Sequence, residues 1–152
     1  MTLLFDTNIV LDFLRNGPIT SSIDDKYDLN SENTIIAISA VTIGELNALA
    51  IKRNWGEKRK SKLKEDLKKF LVIPVNSRDI LSLYGEIDAF SQGKFQRSLP
   101  KGMSARNMGK NDLWIAAAAS ATQSTLLSTD RDFAHLEGVF IKYACYDPKL
   151  YY

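Results

Sequence analysis

Leu3-Leu4-Phe5-Asp6-Thr7-Asn8-Ile9-Val10-Leu11-Asp12-Phe13-Leu14 changes its periodicity at Asp6. Leu3 to Phe5 reads as a short buried strand, whereas Ile9, Val10, Phe13 and Leu14 recur at the spacing of one helix face. A strand that hands over directly to a helix is the opening of a parallel β-α-β unit. Asp6 therefore stands at the carboxyl end of a first strand, where open α/β sheets gather their ligands and catalytic groups.

The same handover recurs downstream. Thr34 to Ser39 is β-branched and bounded by polar residues, so it reads as a second strand, and a helical pattern runs from about Ala40 through Ala50. Glu57 to Leu71 is an amphipathic helix with Leu63, Leu67, Phe70 and Leu71 on one stripe, followed by a third strand, Leu71 to Val75. Pro74 places that strand near an end or edge. Ser77 caps a helix whose Ile80, Leu81, Leu83, Tyr84 and Ile87 face inward, and Asn111 caps an alanine-rich helix from Asp112 to Thr122. Thr125 to Ser128 is the fourth strand, Asp130 to Leu136 a turn or short helix, and Val139 to Tyr143 the last strand. Gly17-Pro18 ends the first helix, and the polar residues 17 to 33 read as a loop or a short helical excursion. The pattern predicts an α/β fold, one domain over residues 1–152, with about five short parallel strands covered by helices on both faces.

At 152 residues the chain can bury one sizeable core. Its apolar stretches are too short to span a bilayer, and the start carries no basic, secretory-type region. Cys145 is the only cysteine, so no disulfide framework is implied and a cytoplasmic setting is expected. Charge is segregated: residues 52–69 carry nine Lys or Arg against three acids, and residues 92–111 carry five cations and no acid. Such segments can rim a site for a polyanion, or can form solvated faces.

Four acids fall at strand-to-helix changeovers: Asp6, Glu45 in Thr42-Ile43-Gly44-Glu45, Asp112 in Asn111-Asp112-Leu113, and Asp130 in Leu127-Ser128-Thr129-Asp130. Each has a structural explanation of its own. Asp6, Asn8 and Asn111 can cap helices, Asp112 can favour a helix amino end, Glu45 can close a capping box on Thr42, and Asp130 can serve a turn. A parallel sheet would bring all four to one edge. Carboxylates about 4 Å apart repel by about 4 kcal/mol at an effective dielectric near 20, so a cluster calls for protons or a cation. An all-oxygen donor set suits Mg²⁺, with Mn²⁺ able to substitute.

These stretches together resemble the PIN domain nucleases, most closely the VapC-type toxins of toxin–antitoxin pairs. Phe5-Asp6-Thr7-Asn8, Ser39-Ala40-Val41-Thr42-Ile43-Gly44-Glu45-Leu46, Asn111-Asp112-Leu113-Trp114-Ile115-Ala116 and Leu127-Ser128-Thr129-Asp130-Arg131-Asp132-Phe133 are similar to the family's four motifs, in order, with Ser128 where threonine is commoner. The resemblance implies a Mg²⁺-dependent endoribonuclease, a homodimer, and inhibition by a small cognate antitoxin. Under it Asp6, Glu45, Asp112 and Asp130 are the catalytic carboxylates that hold one or two metal ions and position the attacking water: Asp6 and Asp112 coordinate directly, Glu45 orients or deprotonates the water, and Asp130 acts through a second metal or from outside the first ligand ring, with Asp132 as its substitute or assistant. Thr7, Asn8 and Ser128 would hydrogen-bond the carboxylates or the substrate phosphate.

Two other functions compete. Asp6 at the end of a first strand could be the nucleophile of a haloacid-dehalogenase-like phosphatase, although Asn8 stands where that chemistry expects a second Asp. A non-catalytic RNA-binding module of the same fold is the other. His135, the only histidine, reads as a surface or packing residue before a general acid, and Trp55, beside Lys52 and Arg53, could stack on a base. Phe95, between Lys94 and Arg97, could do the same.

Overall fold

Five parallel strands form one sheet in the order β3-β2-β1-β4-β5 in a computed structural model that describes residues 1–152. The strands are β1 Thr2–Phe5, β2 Ile35–Ser39, β3 Leu71–Ile73, β4 Thr125–Ser128 and β5 Lys142–Cys145. Helices α1 Thr7–Leu14, α2 Pro18–Tyr27, α3 Ala40–Lys52 and α4 Glu57–Leu67 precede β3; α5 Arg78–Ser91 and α6 Lys110–Thr122 lie between β3 and β4. The chain moves outward from β1 to β3, then returns to the other side of β1 for β4 and β5. That reversal opens a crevice between β1 and β4 at the strands' carboxyl ends.

Alternation along the strands explains the three layers. Leu4, Ala37 and Leu126 point into one apolar cluster with Ile87 and Phe90 of α5 and Ala116 to Ala119 of α6. Leu3, Phe5, Ile38 and Leu127 point the other way, toward Ile9 and Val10 of α1, Ile19 and Ile23 of α2, Leu46 of α3 and Leu63 of α4. Since side chains alternate with a period of two, neighbouring residues of one strand serve opposite cores. The small side chains of α6 let it lie close to the sheet, and all four of those alanines are buried.

Several local expectations need correction. Pro18 starts a ten-residue helix instead of only stopping the previous one, because proline at the first helical position costs no hydrogen bond. The last strand runs Lys142–Cys145 and not Val139 to Tyr143: Val139, Phe140 and Ile141 instead turn back on the Leu136 carbonyl. Helix α4 stops at Leu67, freeing Leu71 for β3, and β3 ends before Pro74 at the sheet edge. Leu81 is exposed, since Ile80 and Ile87 already supply α5 with its inward stripe. The basic stretch is irregular from Gly93 to Gly109.

The α1–α2 corner is held by a buried acid. Asp12 accepts hydrogen bonds from the Thr20 backbone N–H at 2.7 Å, from Thr20 Oγ1 at 2.7 Å and from the Tyr152 hydroxyl. Gly17 passes so close that a Cβ there would land on the Asp12 carboxylate. Gly17→Ala is therefore expected to destabilise the fold by about 1–3 kcal/mol, read from the urea midpoint. An unchanged midpoint would mean that the corner does not depend on this close approach.

Candidate active site

Asp6 is the first residue beyond β1, and its backbone N–H extends the β1–β4 ladder by donating to the Leu127 carbonyl at 3.0 Å. Its side chain caps α1: Oδ1 accepts the Thr7 N–H at 2.7 Å, and Oδ2 accepts the Ser128 hydroxyl at 2.6 Å. Only 6% of Asp6 is exposed. Burial raises its pKa; the Ser128 and Thr7 hydrogen bonds oppose that rise, and the nearby Glu45 and Asp130 charges add to it. The cap reading for Asp6 is thus correct, and it coexists with membership of a charged cluster.

Glu45 lies in the middle of α3. Helix α3 is capped by Ser39, whose Oγ accepts the Val41 N–H at 3.2 Å, so the Thr42–Glu45 capping box does not form. Glu45 Oε1 instead accepts from Thr7 Oγ1 at 2.8 Å, and Thr42 Oγ1 lies 3.2 Å from the same Thr7 oxygen. A hydroxyl has one proton. The Thr7 proton is directed at Glu45, and the buried Thr42 oxygen is its longer alternative acceptor. Glu45 also opens onto a groove bordered by Val41, Gly44, Ala48, Lys52 and Asn111.

Asp112 arrives from the opposite layer. The amino-end cap of α6 is Gly109, not Asn111, which puts Asn111 and Asp112 inside the first turn. An acid there is favoured by the helix dipole, yet Asp112 is half-buried and its carboxylate accepts no hydrogen bond. Burial and then the charges of Asp6, Asp130, Glu45 and Asp132 raise its pKa to about 6.

Asp130 caps the short 3-10 turn Arg131–Leu136, with Oδ1 accepting the Asp132 N–H at 2.8 Å. Its own N–H donates to Ser128 Oγ at 2.9 Å, and its carbonyl accepts from the Tyr143 hydroxyl. The Ser128 hydroxyl consequently joins two motif acids, giving its proton to the Asp6 side chain and accepting from the Asp130 backbone. Asp132 and Asn8 are exposed. Thr42 is the member of this network that motif reading passed over; its signal was its place one helical turn before Glu45.

All four motif acids share one electrostatic field at the β1–β4 crevice. No three His, Cys, Asp or Glu side chains are drawn together as a group that could hold a metal ion. The oxygen-only donors and the unpaired Asp112 carboxylate nevertheless have the chemistry of a hard-cation site.

Residues outside the crevice are structural. His135 is fully buried, receives or gives a hydrogen bond with Ser91 Oγ through Nε2 at 2.7 Å, and stacks on Phe90. Burial, followed by the Arg106 charge, lowers its pKa. It is a packing residue, not a surface one. Trp55 is buried with the Arg59 guanidinium 3.7 Å from its ring centroid, which leaves no open face for a base. Phe95 packs toward Phe140, with ring centroids 6.2 Å apart.

The chain belongs to the PIN domain family, whose model matches residues 3–139. No curated protein sequence matches it significantly. Its fold is similar to three toxin–antitoxin structures. The first is VapBC2 from Rickettsia felis bound to a DNA fragment from their promoter, at 26% identity and TM-score 0.72, covering 97% of this chain and 100% of that one. DNA-bound VapBC from Salmonella typhimurium matches at 20% and 0.70, over 95% and 98%. VapBC-1 from nontypeable Haemophilus influenzae matches at 20% and 0.69, over the same shares.

The raised pKa of Asp112 fixes a sign for pH dependence. Between its ordinary value of 3.8 and about 6, the native carboxyl holds more proton than the unfolded one. Without divalent ions, stability should therefore fall as pH rises through that window. Thermal midpoints from pH 4 to 7 in chelator should show the fall, and Asp112→Asn should lessen it. An equal slope in both proteins would exclude Asp112 as its source.

Proposed function

We propose that this chain is a divalent-metal-dependent endoribonuclease, the toxin of a toxin–antitoxin pair, which hydrolyses RNA phosphodiester bonds with an activated water. The observation that carries this reading is the half-buried Asp112 carboxylate, which accepts no hydrogen bond and whose pKa is raised by burial and by the charges of Asp6, Asp130 and Glu45. Family membership and the likeness to VapBC complexes support it.

Asp6 and Asp112 would hold Mg²⁺ or Mn²⁺, and Asp130 would act through a second ion or through water. When bound, such an ion lowers the pKa of a water and stabilises charge on a phosphoryl oxygen. Ser128 fixes the rotamer of Asp6. Glu45, aimed by the Thr7 hydroxyl, would take the proton of the attacking water. The water oxygen then bonds to phosphorus, the bridging P–O bond breaks, and the leaving oxygen picks up a proton. Asp132 would assist Asp130, and the exposed Asn8 is free to meet a substrate phosphate. The lysines of α4 and the cations of residues 92–111 would draw RNA toward the crevice.

The phosphatase alternative needs a second acid two residues after Asp6 for proton transfer, and the amide Asn8 stands there. Water is the better nucleophile here. A small antitoxin would be the cognate partner, and the active species would be a homodimer in the cytoplasm. No helix is long and apolar enough to cross a membrane.

Expression is expected to arrest growth, and the purified protein to cleave RNA only with Mg²⁺ or Mn²⁺. Asp6→Asn or Asp112→Asn should relieve the arrest and lower cleavage by more than roughly a hundredfold, and Ser128→Ala or Thr7→Val by about 10- to 100-fold. Equal toxicity of the Asn variants at equal soluble levels would contradict the mechanism. A phosphoaspartate adduct in the intact mass would select the phosphatase instead.

A further inference from the structure

We propose that a pocket between the carboxyl ends of α1 and α3 and the side of α4 is a binding site for a phosphate group. Arg15 is the residue that closes α1, Arg53 closes α3, and Arg59 and Lys62 project from α4; all four line this one pocket with Trp55. None of the three arginines takes part in any of the chain's five ion pairs. The one acid in the pocket, Asp66, is already neutralised by Lys62 and by Lys69 at 3.4 Å. Three arginines therefore line one pocket with no carboxylate paired to any of them, although Arg15 and Arg53 also face the partial negative charge of their helix ends.

A second observation also points to an oxyanion. Trp55, which also lines this pocket, buries its indole Nε1 with no hydrogen-bond partner. Buried donors of this kind are normally satisfied. Arg15 spends one N–H on the Leu11 carbonyl at 3.1 Å, and Arg53 and Arg59 make no side-chain hydrogen bond. Guanidinium forks match phosphate oxygens bidentately. A dianion with several acceptor oxygens suits three arginines better than a single carboxylate does, and the Arg59 stack over Trp55 shuts out a nucleobase from the ring.

The pocket is separate from the carboxylate crevice. Arg53 follows Glu45 along α3 by about 12 Å, at 1.5 Å per residue. Its occupancy thus does not depend on the nuclease reading.

Isothermal titration of the full-length chain in chelator, at ionic strength held constant with sodium chloride, tests the site. Inorganic phosphate is expected to bind saturably and to change Trp55 emission in a Trp114→Phe background. Arg53→Gln and Arg59→Gln should each weaken binding at least about tenfold, while Arg78→Gln on α5 leaves it unchanged. Adenosine 5′-monophosphate binding more tightly than phosphate would identify a nucleotide as the carrier; equal binding would identify phosphate itself. Absence of saturation, equal binding of acetate, or unchanged affinity in both arginine variants would overturn the proposal. So would a short RNA whose binding needs these arginines while free phosphate does not bind.

Discussion

Ser128 Oγ reaches Asp6 Oδ2 because Phe5 pairs with Leu127 in a parallel ladder, so the next residues of β1 and β4 emerge side by side. Any slip of one residue would turn Leu126 and Leu127 to the wrong cores and carry Ser128 away from Asp6. The register is thus fixed by two apolar clusters, and the site inherits its geometry from them. Glu45 and Asp112 are then brought in from opposite faces of the same sheet, one on α3 and one at the start of α6.

That arrangement concentrates like charge where the fold has little water to offer. Burial raises the pKa of both Asp6 and Asp112; two hydrogen bonds oppose the rise at Asp6, whereas at Asp112 none does and the neighbouring charges add to it. A hard cation held by these acids would relieve both burdens at once. The Thr7 hydroxyl donates to Glu45 and the Ser128 hydroxyl to Asp6, so these two acids are positioned by neutral donors that do not quench their charge.

Much of this was legible in residue pattern. Leu3 to Phe5 and Thr125 to Ser128 are short apolar runs at polar boundaries, and they are the central strands. Asp6 and Asp130 follow β1 and β4 as their apolar runs suggest, whereas Glu45 sits midway along α3 and Asp112 follows the irregular stretch from Gly93 to Gly109 and not a strand. Helix α2 was hard to see because only Ile19 and Ile23 are buried on it, too few for a clear period, and its first turn is secured from outside by Asp12. The Gly109 cap was hidden by Asn111, a better capping residue two positions inside the helix. Leu81 belongs to an apolar pattern but meets no partner, and the burial of His135 depends on Ser91, far away in sequence.

If Asp112 joins Asp6, Glu45 and Asp130 in holding a cation, its titration must depend on that cation. Titrating the side-chain carboxyl carbon of Asp112 by NMR, without and with Mg²⁺, tests it most directly. A midpoint near 6 is expected in the metal-free protein, with a clear fall on adding Mg²⁺ that Asp6→Asn diminishes. An ordinary carboxylate midpoint in the metal-free protein, unmoved by Mg²⁺, would contradict it.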